Sequence, residues 1–269
     1  MTAVTVPVPA PVAARRAGFL ADLLAVAGRA LRSIPRDQEM LYPALVIPVF
    51  FYAVNIGSLQ DLTEAAAPGF DFKAFQLPVA IIFAVTGISR AGTLVTDIQG
   101  GYFDRLLVSP VRRLPLLLGL MVADFVLVCA LTVPVLVLGF ATGVRFETGI
   151  LGVACFVVFG GLWGLAFTGF PYAIALKTGN PAAVNTSFLL FFPFAFLTTS
   201  FVPRPALTGW LDTAAGYNPV TYLLEGLRAL VYEGWEWSTI GKGLLAVAGV
   251  GALSMWLCFA ALRSRVRRG

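Results

Sequence analysis

Histidine is absent from this chain, which removes the commonest general base, proton shuttle and metal ligand at neutral pH. Charge is scarce as well. Asp, Glu, Lys and Arg together make up 12% of the residues, against roughly 25% in ordinary soluble domains. So little charge excludes a water-soluble globule of this length. Cysteine occurs only as Cys129, Cys155 and Cys258, each inside an apolar stretch. That placement predicts small buried hydrophobes rather than a disulfide framework. A Walker-type nucleotide loop, Gly-x-x-x-x-Gly-Lys-[Ser/Thr], is missing too. The one Gly-Lys pair, Gly241-Lys242, is followed by Gly243 and has Glu236 where the first glycine belongs.

What remains is apolar: 58% of residues are hydrophobic and the mean hydropathy is +0.86. Several stretches reach the ~20 residues needed to cross about 30 Å of hydrocarbon. The sequence predicts an all-α integral membrane protein with six transmembrane helices, at about 40–57, 76–95, 115–140, 150–176, 184–202 and 239–262. Basic residues fix the expected orientation, because short cytoplasmic loops carry an excess of Lys and Arg. With both termini cytoplasmic, the inner side holds Arg15, Arg16, Arg29, Arg32, Arg36, Arg90, Arg105, Arg112, Arg113, Lys177, Arg263, Arg265, Arg267 and Arg268. The outer side keeps Lys73, Arg145, Arg204, Arg228 and Lys242, facing a larger set of acids that includes Asp61, Glu64, Asp71, Glu225, Glu233 and Glu236. The expected location is the plasma membrane, with charge asymmetry reporting topology rather than nucleic-acid binding.

Residues 1–16 read as a disordered cytoplasmic tail and 263–269 as a basic cytoplasmic tail, flanking a membrane domain over 37–262. Between tail and domain, residues 17–36 predict an amphipathic interfacial helix. Phe19, Leu20, Leu23, Leu24, Ala27, Leu31 and Ile34 recur at three- and four-residue steps, with Arg15, Arg16, Asp22, Arg29 and Arg32 opposite. Its charges keep it from spanning, so it is expected to lie in the membrane interface, either as an anchor on anionic lipid or as a partner-binding element. Pro35 ends it.

Two polar runs stand out. The first, Asp97 to Arg113, contains Gly100-Gly101, then Tyr102, Phe103, Asp104, Arg105, Leu106 and Leu107, then Ser109-Pro110 and the pair Arg112-Arg113. A short helix with two aromatics and two leucines beside charges makes a poor solvated loop. It has the composition of a plug for a cleft on another protein, apolar anchors inside a charged rim. The second run, Asn218-Pro219-Val220-Thr221-Tyr222-Leu223-Leu224-Glu225-Gly226-Leu227-Arg228, precedes the last apolar segment. Asn218-Pro219 is a helix start, since proline fits the first turn at little cost. Leu223, Leu224, Leu227 and Leu230 then form one apolar face, and Glu225 and Arg228 have the spacing to pair on another.

In order, spacing and sidedness, these two runs, together with Ser200-Phe201-Val202-Pro203 and Gly209-Trp210-Leu211, resemble the type-2 ABC exporter permeases, most nearly the daunorubicin-resistance branch. The resemblance covers roughly residues 17–262. It implies that Tyr102 to Leu107, with Arg112 and Arg113, form a cytoplasmic coupling helix gripped by a separate ATP-binding subunit. ATP and Mg would belong to that subunit and no cofactor to this chain. It also implies that Asn218, Pro219, Tyr222, Glu225 and Arg228 belong to short re-entrant outer helices before the last span. A second copy, or a homologous permease, would be needed to enclose a path.

Three further features leave alternatives open. Asp124 lies within the third span, where an unpaired carboxylate is costly; it is either a contact that moves with a transport cycle or a group bonded to a neighbouring helix. Thr198, Thr199 and Ser200, with Phe196 nearby, either line a substrate path or bond back onto helical carbonyls. Gly160, Gly164 and Thr168 form a small-residue stripe suited to packing within the bundle or between copies. The expected function is the membrane subunit of an ATP-driven exporter of an amphipathic drug, natural product or lipid. The alternatives are a polysaccharide or teichoic-acid exporter, a lipid-modifying membrane enzyme relying on Asp97 and Asp104, and a proton-coupled carrier relying on Asp124.

Overall fold

A computed structural model of the protein describes residues 18–86, 88–101 and 113–267, and among them every regular element is helical. Helix α1 is Phe19–Ser33, α2 is Gln38–Ala66, α3 is Phe72–Thr86 and α4 is Ala91–Gln99. Then come α5 (Arg113–Ala141), α6 (Gly149–Thr178), the short α7 (Pro181–Thr186) and α8 (Phe191–Phe196), α9 (Trp210–Tyr217), α10 (Pro219–Arg228) and α11 (Trp237–Val266). Among the described residues four of these, α2, α5 from Leu114, α6 and α11, are long and apolar enough to cross a membrane.

The bundle is built around α6. It packs against α11, α5, α3 and α4, and its interior face runs through Phe156, Phe159, Trp163, Ala166 and Tyr172, all buried. Glycines set the closeness of two of these crossings. A Cβ on Gly169 would stand 2.6 Å from the Ser254 backbone of α11, and one on Gly164 would stand 2.9 Å from the Val128 side chain of α5. At the first crossing the Ser254 hydroxyl donates to the Ala166 carbonyl. Gly164 and the buried Thr168, whose hydroxyl bonds Leu165 O at 2.9 Å, are thus used for packing within the chain.

Helix α1 lies along α5, with Ala27 and Ala30 buried and Val26 and Leu31 half-buried. Its predicted apolar face is wider than the surface it covers, for Leu20 and Leu24 are 70% and 65% exposed. Helix α2 is the least enclosed long helix: Tyr42, Val46, Ile47, Phe50 and Val54 all point away from the rest of the chain.

The structure differs from the sequence expectation at three spans. Helix α2 continues past Gly57 to Ala66, because nothing stops its hydrogen bonding until Pro68-Gly69. The second span is two helices rather than one, α3 ending at Thr86 and α4 starting at Ala91. The N–H groups freed at the start of α4 are taken by side chains: Arg90 N donates to Asp124 Oδ1 at 3.1 Å and Ala91 N to Ser89 Oγ at 3.1 Å. The fifth segment is likewise broken into α7, a 3₁₀ turn and α8, and the chain after Phe196 leaves the helix. There the carbonyls are satisfied by side chains instead of by the next helical turn.

Candidate functional site

Polar groups inside an apolar bundle are expensive unless bonded, so the places where this chain buries them are informative. Two joints bring several of them together. One sits at the end of the bundle away from α1 and involves the run that begins at Asn218. The other sits at the α1 end, around Asp124.

At the first joint Asn218 is the organising residue. Its Oδ1 caps α10 by accepting from Val220 N at 3.0 Å, with Pro219 at the first helical position. Its Nδ2 donates to Phe194 O at 2.7 Å and Leu197 O at 2.8 Å, closing the frayed end of α8. The Thr198 and Ser200 hydroxyls both reach Ala195 O, at 2.8 and 2.9 Å, and touch each other at 2.7 Å. Thr198, Thr199 and Ser200 are buried, and their hydroxyls are committed to these bonds and to Arg228. Tyr222 is half-buried and donates from its hydroxyl to Gly216 O at 2.6 Å.

Arg228 does not pair with Glu225. It turns inward, 3% exposed, and uses three nitrogens: Nε to Phe75 O at 3.2 Å, Nη1 to Thr199 Oγ1 at 2.9 Å and Nη2 to Thr199 O at 2.8 Å. Its guanidinium lies over the Phe75 ring, 3.5 Å from the centroid, a favourable cation–π placement. Glu225 instead comes nearest Arg204, at 3.9 Å. The apolar face of α10 is as the leucine spacing predicts, with Leu223, Leu224, Leu227 and the following Leu230 buried and facing α11 and α3. Gln76 joins the cluster, donating to Ser200 O at 3.2 Å. Arg228 and Gln76 thereby tie the start of α3, the residues after α8 and the end of α10 into one unit. Just outside, burial raises the Glu233 carboxyl above its ordinary range, and the negative field of Glu225 adds to this.

Next to this joint lies an aromatic wall. Phe83 contacts Phe51 at 4.8 Å, Phe191 at 5.8 Å and Phe196 at 5.9 Å between ring centroids. Phe196 also stacks on Phe192 and Phe201, at 6.0 and 5.6 Å. A groove of about 350 Å³ opens along the wall between α2, α3 and α8, lined by residues including Glu39, Pro43, Ile47, Phe83 and Phe192. Phe192 and Phe196 are 47% and 45% exposed, on the side of the molecule where α2 leaves its own apolar face uncovered. Residue spacing did not single out Phe51 or Phe83, since the wall is assembled from three separate segments.

At the second joint Asp124 is fully buried. Besides Arg90 N, its carboxylate accepts from the Tyr172 hydroxyl of α6 at 2.8 Å. Arg90, itself 3% exposed, sends Nη2 to Ser33 Oγ at 2.6 Å. Asp124 is therefore bonded to neighbouring helices from deep within the bundle. Further along α4, Asp97 pairs with Arg29 of α1 at 3.2 Å, and Gln99 Nε2 donates to Gly179 O at 3.0 Å. Tyr102, Phe103, Asp104, Arg105, Leu106, Leu107 and Arg112 lie outside the described residues, between α4 and Arg113, the first residue of α5.

A daunorubicin resistance ABC transporter permease protein of Streptomyces coeruleorubidus is 26% identical over 232 residues, covering 85% of this chain and 78% of that protein. A probable doxorubicin resistance ABC transporter permease protein of Mycobacterium tuberculosis is 24% identical over 233 residues, covering 86% and 84%. The model of the ABC-2 type transporter family matches residues 21–232, from α1 through α10. The chain therefore belongs to the ABC-2 type transporter family of membrane permeases.

Proposed function

We propose that this chain is the membrane half of an ATP-driven exporter in the plasma membrane, moving an amphipathic, ring-bearing drug or natural product outward. The observation that carries this reading is the open aromatic wall of Phe51, Phe83, Phe192, Phe196 and Phe201, backed by the buried Phe191, beside the groove along α2. Stacked and edge-on rings offer a flat aromatic solute contacts worth about 0.5–1.5 kcal/mol per ring pair beyond simple burial. Glu39 adds one charged group at the groove, whose remaining lining is apolar. Two relatives named for daunorubicin and doxorubicin resistance support the same substrate class, and a polysaccharide path has no comparable support here.

In this reading both termini and residues 102–113 face the cytosol, and six segments cross or dip into the membrane. The apolar face of α2 meets a second copy, so that two walls enclose one path. The chain carries no nucleotide loop, so ATP and Mg bind a separate subunit that grips Tyr102, Phe103, Leu106 and Leu107 within a rim of Asp104, Arg105, Arg112 and Arg113. Nucleotide favours one of two packings of the pair, shifting the path from inner to outer access. Helix α10 and the residues around Asn218 roof it.

The test is doxorubicin efflux from vesicles holding the chain with and without its ATPase subunit. The chain alone hydrolyses no ATP and moves no drug; the pair does both. Phe83→Ala and Phe196→Ala lower efflux several-fold while Phe103→Ala and Leu106→Ala weaken co-purification of the ATPase. Full efflux in both wall variants would remove the path assignment, and unchanged co-purification in both docking variants would remove the docking assignment.

A further inference from the structure

Beyond the Gly169–Ser254 crossing, α6 and α11 run on together toward the α1 end of the bundle and leave a groove of about 460 Å³ between them. Its lining includes Phe170, Ala173 and Lys177 of α6 and Leu257, Ala260 and Ser264 of α11. Both sets step by three and then four residues, so each lies along one helical face. The next position on the α11 face is Arg267, which is exposed, as are Lys177 and Ser264. The groove therefore changes character along its length. It is apolar beside the crossing, kept open by small alanines, and polar and basic at its mouth.

Helix lengths put that mouth at a defined depth. Helix α11 rises about 39 Å from Trp237 to Arg263, and α6 about 42 Å from Gly149 to Lys177. Both match the roughly 40–45 Å of a bilayer with its headgroups. With the stacked Trp235 and Trp237 at one interface, where tryptophan is enriched, Lys177, Ser264 and Arg267 reach headgroup level at the other.

The charge there is of one sign. No Asp or Glu occurs between Glu147 and Asp212 or after Glu236, whereas Lys177, Arg263, Arg265, Arg267 and Arg268 all fall at this end of α6 and α11. Helix dipoles favour cations at C-termini, and Arg265 serves the fold by donating from Nη1 to Leu176 O at 3.4 Å. Helix α4 packs on α6 as well, but its one carboxylate, Asp97, is paired with Arg29. Basic pockets between spans are where anionic headgroups bind. A zwitterionic headgroup would bring its own cation to a mouth whose helices supply no carboxylate.

We propose that this groove holds one anionic phospholipid. An acyl chain lies between α6 and α11 over Ala173 and Ala260, and the phosphate sits between Lys177 and Arg267 with the Ser264 hydroxyl as a further donor. The groove shares no lining residue with the aromatic one along α2, so the lipid is a resident of the permease and not its cargo. Lying across the seam, it fastens the last span to the central helix. Binding itself does not depend on the exporter reading; only the leaflet that supplies the lipid, the inner one, follows from both termini facing the cytosol.

The test is native mass spectrometry of the full chain in detergent micelles with added phosphatidylglycerol or phosphatidylcholine. The parent chain retains one phosphatidylglycerol in preference to phosphatidylcholine, and excess inorganic phosphate does not displace it. Each basic residue near the headgroup is worth about five-fold in affinity, so Lys177→Gln/Arg267→Gln weakens binding by roughly 25-fold. Arg15→Gln/Arg16→Gln, which removes the same charge from the other end of the chain, leaves it unchanged. Ala260→Phe, at an exposed position, fills the groove with every charge in place and lowers the affinity too. Equal affinity for the two lipids would overturn the site. So would parental binding in either groove variant, or an equal loss in Arg15→Gln/Arg16→Gln. Micelles have no inner or outer leaflet, so a wrong topology leaves these outcomes unchanged and shows itself instead as labelling of Arg267→Cys by an impermeant thiol reagent on intact cells.

Discussion

Replacing Arg228 separates the roles of charge and hydrogen-bond geometry at the joint away from α1. The guanidinium makes three bonds, to Phe75 O, Thr199 Oγ1 and Thr199 O, and bonds from a charged donor contribute about 1.5–3 kcal/mol each. Against this stands the cost of keeping the charge out of water, several kcal/mol for a buried ion, which Arg228→Met removes. The balance leaves Arg228→Met about 2–4 kcal/mol less stable. At roughly 2–4 °C per kcal/mol for domains approaching this length, the midpoint falls by about 5–15 °C. Arg228→Lys keeps the buried charge but offers one nitrogen where three are used, and an ammonium is the more strongly hydrated ion. It should therefore be no better than Arg228→Met. The assay is thermal unfolding in detergent followed with a thiol-reactive dye. Cys258 is fully buried and reports opening once Cys129→Ser and Cys155→Ser remove the more accessible thiols. A lysine variant melting within about 1 kcal/mol of the parent would refute the geometric argument, since charge alone would then suffice.

The same assay checks the other sites. Asn218→Ala removes a helix cap and two carbonyl partners together; the cap alone is worth about 1 kcal/mol, so a loss of roughly 2–3 kcal/mol is expected. Tyr172→Phe leaves Asp124 Oδ2 buried without its donor and should cost about 1–3 kcal/mol, and Asp124→Asn in the same chain should return part of that loss. Gly169→Leu forces a side chain into the Ser254 backbone and should cost at least the 1–3 kcal/mol of ordinary overpacking, whereas Gly241→Ala, which meets nothing within 4 Å, should be nearly silent.

Where local periodicity decides structure, the sequence was readable. Helix α1 and the buried face of α10 both follow from apolar residues at three- and four-residue steps, and Asn218-Pro219 marks the start of α10 where the structure has it. Failures occur where a distant side chain replaces a helical hydrogen bond. The break between α3 and α4 is stabilised by Asp124, 34 residues beyond Arg90, and the frayed end of α8 by Asn218, 24 and 21 residues beyond its acceptors. A hydropathy window averages over both breaks, because the strongly apolar α3 and the phenylalanine-rich α8 beside them carry the mean. Glu225 and Arg228 fail for a related reason. Their spacing permits a pair, yet Arg228 gains more from three bonds to Phe75 and Thr199 than from one half-buried carboxylate nearer the surface. Both breaks and the Arg228 miss thus expose long-range polar contacts at interrupted helices. Helices interrupted inside an apolar bundle persist only where other protein groups satisfy their ends, so the residues that do so, Asp124 and Asn218, are the ones whose loss should be felt far from where they sit.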